Sequence, residues 1–205
     1  AKVRIIEQHH RNTQPMSKEH VRAALLEAHS ALENFLQDEA GLEAVDRAAD
    51  LMASSIASGG RIYSCGNGGS LCDAMHFAEE MTGRYRKDRR ADASHIACVA
   101  NDYGYEFVFS RYVEAHGHPG DVLLAISTSG TSKNVLAAVR SAKALGMKVV
   151  GMTGKIGSPL AALADVAIVT PGGRYADRVQ ELHIKCIHIM IELVERRLDP
   201  QNYED

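Results

Sequence analysis

The chain has 205 residues, 45% of them hydrophobic, and a formal net charge of −3. That is enough chain and enough apolar side chain for one domain with a sizeable core, which excludes a disordered protein. The charge balance gives no reason to expect nucleic acid as a partner, and no apolar run approaches the ~20 residues of a membrane-spanning helix.

The N-terminal AKVRIIEQHHRNTQP carries charges throughout and no apolar stretch of signal-peptide length. Residues 1–15 read as a polar leader, ahead of a single domain over 16–205. Met16-Ser17 opens a helical pattern with Ser17 as candidate N-cap. Leu25, Ala28, Leu32 and Phe35 then recur at spacings of three and four, on one helical face. A second helix is predicted over 41–58, with Val45, Ala48, Leu51, Met52 and Ile56, stopping at Gly59-Gly60. Short apolar runs at 61–65, 121–126, 147–152 and 166–170 read as strands, with helices at 70–83, 132–145 and 174–197 among them. Short buried-looking strands alternating with helices imply a parallel sheet covered on both faces. Cys65, Cys72, Cys98 and Cys186 have no CxxC spacing, so they read as packing thiols in a reduced, cytoplasmic compartment.

Two loops stand where a parallel α/β sheet binds ligands, at the carboxyl ends of strands. The first is Gly66-Asn67-Gly68-Gly69-Ser70. The second, Ser127-Thr128-Ser129-Gly130-Thr131-Ser132, leads into a helix. Neither is a Walker A loop, nor does the first fit G-x-G-x-x-G. Hydroxyls and N–H groups at a helix N-terminus suit a phosphate ester that is held rather than transferred. The alternative is an ordinary polar loop with a capping serine.

Helix 70–83 carries Asp73, His76 and Glu80. His76 and Glu80, four apart, share one face, a pattern that binds metal, shuttles protons, or is simply a solvated pair. In YADRVQELHIKCIHIMIELVERRL, Gln180 and His188 are eight apart and thus within about 80° of each other around the helix. The stretch from Cys186 to Val194 is apolar almost all round. A helix buried on several sides reads as a subunit interface. A histidine buried there needs a partner, functional or a backbone carbonyl. His183 points in a neighbouring direction and reads as a decoy.

Taken together, GNGGS, DAMHFAEEMTGRYR, Asn101-Asp102, ISTSGTSKNV and YADRVQELHIKCIH resemble the phosphoheptose (sedoheptulose 7-phosphate) isomerases, enzymes of the sugar-isomerase (SIS) domain family. The likeness runs roughly from Met16 to Leu198 and marks residues 1–15 as an extension or an expression remnant. The phosphate loop is shared with many phosphosugar enzymes and sensors, whereas HFAEE together with Q-x7-H is specific. The resemblance implies a three-layer, flavodoxin-like α/β fold with a five-stranded parallel sheet flanked by helices. It implies a homotetramer with active sites between subunits, and conversion of sedoheptulose 7-phosphate to D-glycero-D-manno-heptose 7-phosphate. That is the first step towards the activated heptoses of bacterial lipopolysaccharide and other surface polysaccharides.

By matching position, the resemblance gives Ser127, Thr128, Ser129 and Ser132 to the phosphate. It gives Asn67, Gly68 and Gly69, with Ser70 alongside, to the sugar. Asn101, Asp102 and Asp177 match further substrate positions. His76, Glu80, Gln180 and His188 match a site for one zinc per subunit, Glu80 and Gln180 also facing substrate, and Glu80 with His188 match the acid/base pair. One departure stands out. Between RYRKDR and ADASHIACVAND the family usually has a few more residues, including a proline and a short apolar strand. Either an edge strand is lacking or a stretch of chain is omitted there, and we adopt omission. Competing readings are a SIS enzyme of amino-sugar or hexose phosphates, a purely structural oligomer, and a non-catalytic SIS protein such as the replication-initiator-associating proteins. Possession of both Glu80 and His188 favours the enzyme.

Overall fold

The computed structural model describes residues 18–81, 100–170, 172 and 175–203. Helices α1 (Lys18–Leu36) and α2 (Glu39–Ala57) lead into β1 (Ile62–Cys65) and α3 (Gly69–Glu79). A 3-10 turn (Tyr105–Phe107) and α4 (Ser110–His116) precede β2 (Val122–Ile126), α5 (Lys133–Ala144), β3 (Lys148–Thr153), α6 (Pro159–Leu163), β4 (Val166–Val169) and α7 (Ala176–Leu198), with a last 3-10 turn at Pro200–Tyr203. All four expected strands are present. Helix 70–83 is observed to residue 79 and widens into a π turn at 80–81; positions 82–83 and the cap Ser17 lie outside the described residues.

The sequence reading did not include α4 or α6. Helix α4 is seven residues long and buries only Ser110 and Val113, too little for a helical period to register. Helix α6 did carry a signal. Ser158 accepts a hydrogen bond from the Ala161 N–H at 3.3 Å, with Pro159 in the first helical position.

The strands lie in the order β1-β2-β3-β4 and every pairing is parallel. Side chains alternate across the sheet. Val122, Leu124, Ile126, Val150, Met152, Val166 and Ile168 face α2, α3 and α7. Cys65, Leu123, Ala125 and Val149 face α4, α5 and α6. This is the expected three-layer sandwich. The described residues contain four strands where the resemblance implies five, and the departure at Arg89-Arg90-Ala91-Asp92 lies outside them. Burial pushes the Cys65 and Cys186 thiols up to about 12, so both behave as packing groups.

Two expectations about the helices are corrected. The apolar stretch of α7 is largely covered by this chain itself: Cys186, Ile187, Met190, Ile191 and Val194 pack in one core with α2 and α3. Of its apolar residues Ile189 remains exposed. Conversely, the predicted inward face of α1 is buried only at Phe35, and Val21, Leu25 and Leu26 stand 58%, 66% and 59% exposed. Among the described residues, the first half of α1 therefore carries an apolar surface that the core does not cover.

Candidate active site

Cys65 and Ala125 are paired neighbours on β1 and β2, so the two loops emerge side by side from the carboxyl edge of the sheet. The second loop is clamped from β3 and its exit. The Ser127 N–H donates to the Met152 carbonyl at 3.0 Å, Gly154 N–H to Thr128 O at 3.0 Å, and Leu160 N–H to Gly130 O at 3.1 Å. Its hydroxyls bond one another: Ser127 Oγ lies 3.0 Å from Ser132 Oγ and 3.5 Å from Ser129 Oγ, and Ser129 Oγ lies 2.9 Å from Thr131 Oγ1. Ser132 occupies the N-cap position of α5, yet its side chain makes no cap bond. The capping alternative is thus not realised. A chain of hydroxyls thus stands at the N-terminus of α5, an arrangement that suits an anion.

In the first loop, Gly68 adopts φ +55°, and a side chain there would meet open space. Gly69 differs: a Cβ would collide with the Gln180 amide. The missing side chain at Gly69 makes room for α7 rather than for a ligand. Asn67 is held by its amide. Its Nδ2 donates to Asn134 Oδ1 at 2.7 Å, Asn134 Nδ2 donates back to Asn67 Oδ1 at 2.7 Å, and the Tyr105 hydroxyl donates to Asn67 Oδ1 at 3.1 Å. Ser70, in the first turn of α3, is buried. The sequence reading gives no role to Asn134 or Tyr105, although Asn134 lies inside ISTSGTSKNV.

Further along α3, three of the residues that the resemblance groups come together. His76 Nε2 lies 2.8 Å from His188 Nε2, and Glu80 Oε1 lies 3.6 Å from His76 Nε2. Two imidazole nitrogens at that distance require one to donate and the other to accept. Glu80 is a quarter exposed, so the cluster opens to solvent and hence to a ligand. One turn earlier, Asp73 is half-buried, with Oδ2 enclosed and unpartnered. Burial raises its pKa, and nearby His76 draws it partly back. Of the histidines on α7, the buried one is His183, while His188 is exposed. This reverses the expectation, because His188 faces the cluster and His183 faces the core.

In kind, two imidazoles, a carboxylate and the Gln180 amide fit zinc. As they stand, no three His, Cys, Asp or Glu among the described residues are arranged to hold a metal. Zinc–nitrogen bonds of ~2.0–2.1 Å set tetrahedral donors about 3.3 Å apart, so the histidine pair must part by roughly half an ångström.

The remaining expected substrate residues stand apart from this cluster. Asn101 Nδ2 donates to Asp102 Oδ1 at 2.8 Å on the exposed segment before Tyr105. Asp177, exposed in the first turn of α7, accepts from the Arg178 N–H at 2.8 Å.

The SIS domain family model matches residues 26–154 of the chain. The chain is similar to the phosphoheptose isomerase of Tolumonas auensis, 56% identical over 89% of this chain and 99% of that one. It is equally similar to the phosphoheptose isomerase of Klebsiella pneumoniae, 56% identical over 89% of this chain and 98% of the relative. Among solved structures it resembles phosphoheptose isomerase GmhA from Neisseria gonorrhoeae, with a TM-score of 0.80 and 40% identity, covering 87% of this chain and 98% of the other.

Proposed function

The chain belongs to the phosphoheptose isomerases of the SIS domain family, and from that premise we propose that it converts sedoheptulose 7-phosphate to D-glycero-D-manno-heptose 7-phosphate. The reaction feeds the synthesis of activated heptoses for lipopolysaccharide. The observation that carries this reading is the gathering of His76, Glu80 and His188 from α3 and α7, in a chain whose 127–132 loop carries linked hydroxyls at the start of α5.

The chemistry needs both parts. Ser127, Thr128, Ser129 and Ser132 hold the phosphate over the N-terminus of α5, which fixes the sugar end to end. The isomerisation takes a proton from C1 of the ketose, leaves an enediol, and returns a proton to C2. Glu80 is the base for the carbon-bound proton, and His188 handles the oxygen protons. His76, Glu80, Gln180 and His188 would hold a zinc ion, which supplies polarisation of substrate oxygens when bound. Gly68, where a side chain would meet open space, faces the sugar, as does the exposed Asn101-Asp102 pair; Gly69 and Ser70 shape that loop from within, Gly69 by admitting Gln180 and Ser70 as a buried residue. Asp177, exposed one turn before Gln180 on α7, is a further contact for the substrate. The exposed apolar face of α1 supports a homotetramer, and no described helix is long and apolar enough to cross a membrane. We place the enzyme in the cytoplasm, where sugar phosphates are made.

The test is turnover of sedoheptulose 7-phosphate, with chelator and then added zinc. Loss and recovery are expected. Turnover indifferent to chelator would remove zinc from the reading, and no turnover by a folded tetramer would favour a non-catalytic binding protein. A second prediction concerns Gly69→Ala. Its methyl displaces the Gln180 amide, so zinc affinity is expected to fall about tenfold, as when a ligand loses its orientation. A zinc titration with unchanged circular dichroism checks this; undiminished affinity would remove Gln180 from the ligand set.

A further inference from the structure

We infer that Asn134 and Tyr105 are positioning residues that lock the sugar loop to the phosphate loop, and that Asn67 meets the substrate through its backbone rather than its amide. The inference rests on the proposed isomerase reading for its kinetic consequences, though not for its structural ones. Asn134 is 4% exposed and sits in the first turn of α5, directly after the chain of hydroxyls. Its Oδ1 also accepts the Val135 N–H at 2.9 Å. A backbone N–H can only donate, so this bond fixes which end of the Asn134 amide is oxygen. The reciprocal pair then fixes Asn67, whose Oδ1 receives both Asn134 and Tyr105.

The consequence is that both ends of the Asn67 amide are already occupied. A loop with three glycines loses much conformational entropy when it is fixed. The paired amides hold it at one point, next to Gly68, where a side chain would meet open space and the backbone is free to be approached. Tyr105 extends the lock to the segment carrying Asn101 and Asp102. Three substrate-facing segments, far apart in sequence, are thereby fixed in one register. Removing one partner also strands a buried amide.

A double-mutant cycle tests this. Asn67→Ala and Asn134→Ala are each expected to lower kcat/KM for sedoheptulose 7-phosphate about tenfold, and the double variant about as much as either alone. Tyr105→Phe, the mildest change, is expected to cost a few-fold in the wild-type background and nothing beside Asn67→Ala. Amide hydrogen exchange over 66–70 is expected to quicken in Asn134→Ala while exchange over 122–126 stays slow. Losses that multiply in the double variant, or Asn67→Ala far worse than Asn134→Ala, would show the Asn67 amide touching substrate and overturn the inference. So would unchanged exchange over 66–70. Should the wild type fail to turn over the substrate, the isomerase reading falls, and the exchange experiment still decides the lock.

Discussion

Glu80→Gln is expected to slow conversion of sedoheptulose 7-phosphate by about 10²–10⁴-fold, the usual worth of a positioned general base. The change keeps size and an oxygen donor, so zinc can still be held, and it removes only the capacity to accept a proton from carbon. Binding of inorganic phosphate at the 127–132 loop is expected to persist, because that loop is clamped by β3 and Leu160 rather than by α3. Retained phosphate binding with lost turnover separates chemistry from substrate capture. In the same assay run in heavy water, the wild type is expected to place solvent deuterium at C2 of the product, since a carboxyl proton exchanges with solvent. Activity near wild type would take Glu80 out of the base role, and a product without deuterium would argue against an enediol.

The parts of this site that were legible in the sequence share a property: each depends on spacing within one element. His76 and Glu80 are one helical turn apart, Gln180 and His188 two, and the hydroxyl loop is contiguous. Strands β1 to β4 were legible because each is a short apolar run ended by polar or glycine residues. What was not legible depends on pairing between elements. The Asn67–Asn134 amide pair spans 67 positions of chain, and no period or propensity announces it. Gly69 looked like room for a ligand, yet it is room for Gln180, a residue whose nearness exists only once α7 folds back on α3. The same limit explains α1 and α7. The sequence shows an apolar face on α1 and a stretch apolar almost all round on α7, but which of them this chain covers for itself follows from the third layer, where α2 lies against α7.

The largest stability effect is expected at His183, which the reaction does not use. Its ring is fully enclosed on α7 and neither nitrogen finds a hydrogen-bond partner. Burial lowers its pKa from 6.5 to about 4, an effect that the nearby Thr153 backbone only partly offsets. The sign of the effect follows. Between about pH 6.5 and pH 4 the unfolded chain takes up a proton that the folded chain refuses. Stability from this site is therefore complete above pH 6.5 and is lost as the pH falls through that window, on the order of 3 kcal/mol in all. His183→Leu removes the titration from both states and also removes a buried polar ring without partners. Its melting temperature at pH 7 is expected to equal or exceed that of the wild type. From pH 6.5 to pH 4.5 it is expected to fall by roughly 5–10 °C less than the wild type does. Thermal melts of both proteins across that range check the claim, with kcat at pH 7 as a control that is expected not to move. Parallel melting curves would mean that His183 takes up its proton in the folded state, which requires the contact between α7 and the end of β3 to admit water.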